Sequence, residues 1–212
     1  SVNLRLNPEV IFDSAGRREN LTTRSVRAGV STLSGQVART LIQMVGTVVL
    51  ARLLAPADYG LVGMVAVVIG FAEMFKDAGL STATVQADEI TRDQISTLFW
   101  VNVGVSSLIG VVVLASSPLV ALLYGRHELV AITAALSLSF LVTGLPVQHE
   151  ALLRRHFGFT PLAISYALAQ LVNVSVSIIA ALLGYGYWAL VFGTLAAPLV
   201  SASLAFYFCP WI

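Results

Sequence analysis

Residues 161–212 read PLAISYALAQLVNVSVSIIAALLGYGYWALVFGTLAAPLVSASLAFYFCPWI and contain no Asp, Glu, Lys or Arg. An α-helix rises 1.5 Å per residue, so about 20 residues cross the roughly 30 Å hydrocarbon layer of a bilayer. The stretch is long enough for two crossings, and Gly184-Tyr185-Gly186-Tyr187-Trp188 stands between them. The glycines suit a reversal, and the rings suit the membrane–water interface where aromatic side chains collect. Spans are therefore expected near 162–183 and 187–208.

The same pattern extends upstream. Residues 129–148, 94–125 and 59–72 are uncharged, and Arg39 is the single charge between Ala28 and Ala51. Four further spans follow, near 129–148, 95–117, 58–77 and 28–53. The segment 58–77 is the weakest, because Glu73, Lys76 and Asp77 crowd its end; a re-entrant or interfacial segment is the alternative. Ala55-Pro56-Ala57-Asp58 separates the first pair, Pro118 is expected to end the third span, and Gly158-Phe159-Thr160-Pro161 opens the fifth. The apolar runs are continuous, whereas strands of a membrane barrel alternate over about 10 residues. Gly46, Gly63, Gly70, Gly104 and Gly110 lie inside spans, where small residues let helices pack closely. The expected fold is an all-α integral membrane protein of six transmembrane helices.

Composition agrees. Of 212 residues 57% are hydrophobic and 11% charged, against about 25% charged in an ordinary soluble domain. Mean hydropathy is +0.86. A soluble surface, a disordered chain and a disulfide scaffold are excluded; Cys209 is the single cysteine. A net charge of +1 gives no footprint for nucleic acid.

Residues 1–27 are unlike the rest. They hold Arg5, Glu9, Asp13, Arg17, Arg18, Glu19, Arg24 and Arg27 with no apolar run, which excludes a signal peptide at this end. We read 1–27 as a cytoplasmic tail and 28–212 as the membrane domain. The chain begins at Ser1 rather than Met, and part of the tail is expected to belong to a longer or trimmed product. With the N-terminus inside, the inner segments carry Arg5, Arg17, Arg18, Arg24, Arg27, Lys76, Arg92, Arg154 and Arg155, and the outer side only Arg52 and Arg126. That asymmetry follows the positive-inside rule and puts both chain ends in the cytoplasm.

Arg39 is the residue most in need of a reason, since an arginine at mid-bilayer costs about 2.5–3.5 kcal/mol on insertion scales. Gln36, Arg39 and Gln43 are spaced to share one helical face, and Thr32, Gly46 and Thr47 extend the stripe. A guanidinium flanked by amides suits an anionic group such as phosphate or pyrophosphate. The alternative is a structural ion pair with a buried acid, Glu73 being the obvious candidate. Asn102, Ser106 and Gly110 form a second stripe, and Tyr166, Gln170, Asn173 and Ser177 a third. Helix–helix hydrogen bonding explains such stripes as well as a hydrated cavity does. His127, His149 and His156 fall near span ends, and Asp88, Glu89 and Asp93 read as a solvated loop. No catalytic residue, metal site or cofactor is assigned, because no phosphate loop, HExxH or nucleophile elbow appears.

Several segments resemble a known family. Ala51-Arg52-Leu53-Leu54-Ala55-Pro56-Ala57-Asp58-Tyr59-Gly60 and Lys76-Asp77-Ala78-Gly79-Leu80-Ser81-Thr82-Ala83 resemble the start of bacterial polysaccharide transporters. Val147-Gln148-His149-Glu150-Ala151-Leu152-Leu153-Arg154-Arg155 and Gly184-Tyr185-Gly186-Tyr187-Trp188-Ala189-Leu190 resemble that family's later connections. These are the lipopolysaccharide or O-antigen flippases of the multidrug/oligosaccharidyl-lipid/polysaccharide exporter superfamily. The likeness runs from about residue 25 to the end.

The resemblance implies a two-lobed transporter of the bacterial inner membrane, with this chain as its N-terminal six-helix lobe. It implies no enzymatic step. It also implies alternating access that moves an undecaprenyl-pyrophosphate-linked oligosaccharide between leaflets, with cationic cavity residues receiving the pyrophosphate and sugar. The candidate substrate-binding residues are then Arg39, Gln36, Gln43, Asn102, Gln170 and Asn173. Glu73 is the possible ion-pair partner, and Arg52 is expected to shape the first turn with Asp58. The missing second lobe, or another copy, is the expected protein partner, with membrane lipid around both. Rival readings are a drug or cation antiporter of the same superfamily, a membrane-bound polysaccharide enzyme, and an inactive truncated membrane protein.

Overall fold

The computed structural model describes residues 21–76, 92–147 and 159–208. They form six helices: α1 (Leu21–Leu53), α2 (Pro56–Lys76), α3 (Arg92–Tyr124), α4 (Glu128–Gly144), α5 (Phe159–Leu182) and α6 (Trp188–Phe208). No strand occurs among the described residues. Most of the expected tail, the acidic loop at Asp88 and Glu89, His149, His156 and Cys209 lie outside them, as does most of the two motifs beginning at Lys76 and Val147. α1 begins at Leu21, inside the stretch read as tail.

Five helices carry segments long and apolar enough to cross a membrane: Thr32–Leu53, Pro56–Phe75, Thr97–Tyr124, Leu162–Leu182 and Trp188–Tyr207. The segment 58–77, with its crowded charged end, is thus part of a full-length helix, begun by Pro56 at a first-turn position where its missing N–H is not needed. α4 is shorter, at 17 residues against the expected 129–148. Pro146 offers no N–H to continue the ladder, and the Leu145 N–H bonds the nearer Val142 carbonyl instead, at 3.4 Å. That length spans about 25 Å, short of the hydrocarbon layer.

Pro118 does not end the third helix. α3 runs on to Tyr124 with the proline inside it. The cost of a proline within a helix is met in membranes by neighbouring helices and hydroxyl side chains. Val120 and Ala121, beyond the proline, are buried against α2, α4 and α6.

Lipid is as apolar as leucine, so the hydrophobic effect does not sort large from small side chains within the bilayer. The surface reflects this: Leu122 is 78% exposed, Met74 75% and Leu123 74%, while Ser106, Thr133, Ser137, Ser165 and Ser177 are buried. Close approach of small residues does the sorting instead. The principal contacts are α5 with α6, α1 with α5, α3 with α4 and α4 with α6, with α2 laid against α3 and α4. Two apolar clusters result. One joins Val65, Val120, Ala121, Leu129, Ile132, Leu136 and Val191; the other joins Leu50, Leu54, Ala180 and Ala189, with Tyr59 packed on it. Both lie toward one end of the helix set, the end of the three short connections at 54–55, 125–127 and 183–187. We call it the turn end. Gly125, Gly184 and Gly186 there adopt positive φ of 63°, 82° and 54°, conformations that only glycine adopts without strain.

Candidate functional site

α1 presents three faces. Gly35, Ala38, Ile42, Gly46 and Val49 turn inward, whereas Leu33, Val37, Leu41, Met44, Val45 and Val48 are exposed apolar residues suited to lipid. Between these faces runs an exposed polar stripe of Thr32, Gln36, Arg39, Gln43 and Thr47. The inward face meets α5 closely. A Cβ placed on Gly35 would lie 2.5 Å from the Ala163 Cβ, and one on Gly46 would lie 2.6 Å from a Val174 methyl. Gly46 therefore belongs to the packed face and not to the polar stripe it was expected to extend.

The side chains of Gln36, Arg39 and Gln43 make no hydrogen bond or ion pair among the described residues. No ion pair joins Arg39 to Glu73, which is exposed on α2. What remains is an unneutralised guanidinium flanked by two amides, on an open face of an otherwise apolar helix. Such an arrangement can take up an anion with hydroxyls around it, as a sugar phosphate has.

The other two stripes sit elsewhere. Asn102 and Ser106 are buried on α3, and the Asn102 amide donates to its own helix at the Leu98 carbonyl, 3.1 Å away. Gly144 of α4 faces them, where an added Cβ would come within 2.7 Å of the Ser106 Cβ. Gly110 meets the Ser137 carbonyl and the Phe140 Cβ in the same way. On α5, Gln170 and Asn173 are half-buried and Ser177 is buried. Gly193 of α6 lies against Ser177 Oγ and the Asn173 carbonyl, so closely that no Cβ fits. The structure thus brings Gln36, Arg39 and Gln43 together, and places Asn102 in the α3–α4 seam and Asn173 in the α5–α6 seam.

Sequence reading missed Gly35, Gly144 and Gly193, the glycines that seat these seams. It also credited Gly63, Gly70 and Gly104 with close packing, yet nothing lies within 4 Å of a Cβ built on any of them. Sequence shows a glycine's place on its helix, but the neighbour opposite comes from tertiary structure.

At the turn end Asp58 organises the entry to α2. Its Oδ2 accepts the Ala55 N–H at 3.0 Å, while the Asp58 N–H returns to the Ala55 carbonyl at 3.0 Å. This reciprocal bonding satisfies donors that a helix start leaves open. A Cβ on Gly186 would sit 3.3 Å from Asp58 Oδ1. Two segments far apart in sequence, 55–58 and 184–188, therefore meet. Arg52 is exposed, with no ion pair to Asp58 among the described residues.

These features define a multi-pass, all-α membrane protein with tightly seamed helix pairs and one polar helix face left open. The chain belongs to a family of polysaccharide biosynthesis proteins, whose family model matches residues 49–212. That match begins just beyond the Arg39 stripe. Among curated relatives, the teichuronic acid biosynthesis protein TuaB of Bacillus subtilis is 34% identical over 93 residues, covering 44% of this chain and 19% of TuaB. The lipopolysaccharide biosynthesis protein WzxC of Escherichia coli is 27% identical over 164 residues, covering 77% of this chain and 32% of WzxC. The succinoglycan biosynthesis transport protein ExoT of Rhizobium meliloti is 26% identical over 182 residues, covering 85% of this chain and 36% of ExoT. The last two matches span about a third of each relative's length. No solved structure matches the chain significantly.

Proposed function

We propose that this chain is the N-terminal lobe of a non-enzymatic transporter that flips an undecaprenyl-pyrophosphate-linked oligosaccharide across the bacterial inner membrane. The observation that carries this reading is the exposed Arg39, without an ion pair among the described residues, between Gln36 and Gln43 within a membrane-spanning helix. In that role Arg39 neutralises the pyrophosphate, and the two glutamines hydrogen-bond the phosphate oxygens or the first sugar. The prenyl tail stays in lipid beside the apolar faces of the same helix. A second lobe, or another copy, closes the open side, since a polar stripe turned toward lipid is costly. Asn102 and Asn173 line the path only if their seams part during transport, and the half-buried Gln170 joins them from the same face of α5 as Asn173. The topology that goes with this reading has the turn end outside and both chain ends in the cytoplasm.

The test is complementation. Cells deleted for the gene receive the whole gene product carrying Arg39→Ala or Arg39→Lys, and surface polysaccharide is measured against membrane-inserted protein. Arg39→Ala is expected to lower export at least tenfold, with Arg39→Lys between it and the parent. Full export by Arg39→Ala would remove Arg39 from the path.

A further inference from the structure

The helix that ties the molecule together is also weakened along its own length. α6 alone packs against both α4 and α5, and it enters both apolar clusters: Ala189 and Leu190 in one, Val191 and Leu195 in the other. All four residues lie in its first two turns. Beyond them comes Pro198, which has no N–H for the Thr194 carbonyl and whose ring crowds that carbonyl. Thr194 Oγ1 bonds back to the Leu190 carbonyl at 2.8 Å, and Ser203 Oγ bonds back to the Leu199 carbonyl at 2.7 Å. Hydroxyls that bond back four residues compete with the helix ladder and favour bending, and proline is the commonest cause of a sharp kink. One loosened carbonyl and two carbonyls shared with hydroxyls therefore follow one another along α6. Thr194, Leu199 and Ser203 are exposed, so no neighbouring helix braces that side.

The two ends of the molecule differ accordingly. At the turn end the Asp58 carboxylate holds the start of α2 and lies close to Gly186, in the connection that leads into α6. The buried residues in the second half of α6 are the small Ala202 and Ala205, with no residue there in either apolar cluster.

We infer that α6 is a hinge: its first two turns are fixed in the turn-end clusters, and its second half swings about Thr194–Pro198 to open and close the opposite end of this lobe. The lobe then flexes internally, in addition to any motion of the whole. The hinge stands on the packing and hydrogen bonds just described; only its use in transport rests on the proposed function.

The experiment uses the whole gene product in lipid nanodiscs with Cys209→Ser and paired spin labels. One pair, at Val101→Cys and Tyr207→Cys, reports the end away from the turns. The other, at Leu123→Cys and Leu183→Cys, reports the turn end. The expected result is a broad or two-peaked distance distribution for the first pair and a single narrow one for the second. Pro198→Ala, which restores the missing donor, narrows the first and leaves the second unchanged. Thr194→Val, which removes the back-bonding hydroxyl, does the same to a smaller degree and carries the test if Pro198→Ala fails to insert. A first-pair distribution that neither variant narrows overturns the hinge, whatever happens to export. Narrowing accompanied by undiminished polysaccharide export supports the hinge and counts against its use in transport.

Discussion

The polar stripe of α1 and the polar seams of α3 and α5 are made of similar residues, yet they meet different neighbours. Ser106 has Gly144 opposite it, and Ser177 and Asn173 have Gly193 opposite them. Gln36, Arg39 and Gln43 are exposed, with no hydrogen-bond or ion-pair partner among the described residues. In a bilayer a polar side chain is tolerable if it is packed and hydrogen-bonded within the protein, or if it borders water or a polar ligand. The seam residues are packed against these glycines, and Asn102 is bonded to the Leu98 carbonyl of its own helix. The α1 stripe, carrying a full charge, has only the second course open to it.

The difference breaks most readily at the seams. Gly193→Val would drive a side chain into Ser177 and the Asn173 backbone, and backbone gives little. We expect a loss of about 3 kcal/mol, the upper part of the range for overpacking, seen as a lower unfolding temperature and poor recovery from detergent. Gly144→Val should behave alike, slightly less severely, because Ser106 meets it with a side chain. Normal unfolding temperatures for both would mean that the seams are loose.

The α1 stripe should respond with the opposite sign. Arg39→Leu removes a charge that costs about 2.5–3.5 kcal/mol at mid-bilayer, so membrane insertion and thermal stability should hold or rise while export falls. A stability loss on the scale of the Gly193 variant would show that Arg39 is a structural member of the fold. The split between stability and export is the informative quantity, since a seam variant loses both together.

Much of this was legible in the sequence, for a definite reason. Lipid permits few charges over about 20 residues, so the gaps between charges outline spans directly. That rule located five full-length helices and overextended the one ending at Leu145-Pro146. It failed at Pro118, where the soluble-protein rule that proline stops a helix yields to packing by neighbouring helices. Helical spacing grouped Gln36, Arg39 and Gln43 correctly on one face. It could not distinguish that stripe from the one at Asn102 and Ser106, because periodicity describes a helix and not its neighbour. Gly46 illustrates the limit: it lies at the edge of the Arg39 stripe in sequence, yet Val174 covers it.

The approach of Gly186 to Asp58 separates local from tertiary effects at a smaller scale. Asp58→Ala removes the bond to the Ala55 N–H and should cost about 1 kcal/mol, as the loss of a helix-start bond does elsewhere. Gly186→Ala adds strain from the positive φ together with a Cβ 3.3 Å from Asp58 Oδ1. If the two turns act through their contact, the double variant should cost less than the sum of the single ones in a thermal-unfolding cycle. Strict additivity would make the capping bond purely local.

The smallest effect is expected where glycines face open space. Gly63 and Gly70 on α2 have no atom within 4 Å of a built Cβ, and glycine within a helix is less favourable than alanine by about 0.5–1 kcal/mol. Gly63→Ala and Gly70→Ala should therefore raise the unfolding temperature slightly, whereas Gly46→Ala, pressed on Val174, should lower it. Export then becomes the sharper readout. If the α2 variants gain stability and keep full export, that face meets only lipid. If they gain stability in this chain yet lose export in the whole gene product, the α2 glycines are seating another helix during transport. The open side would then extend from the α1 stripe onto α2.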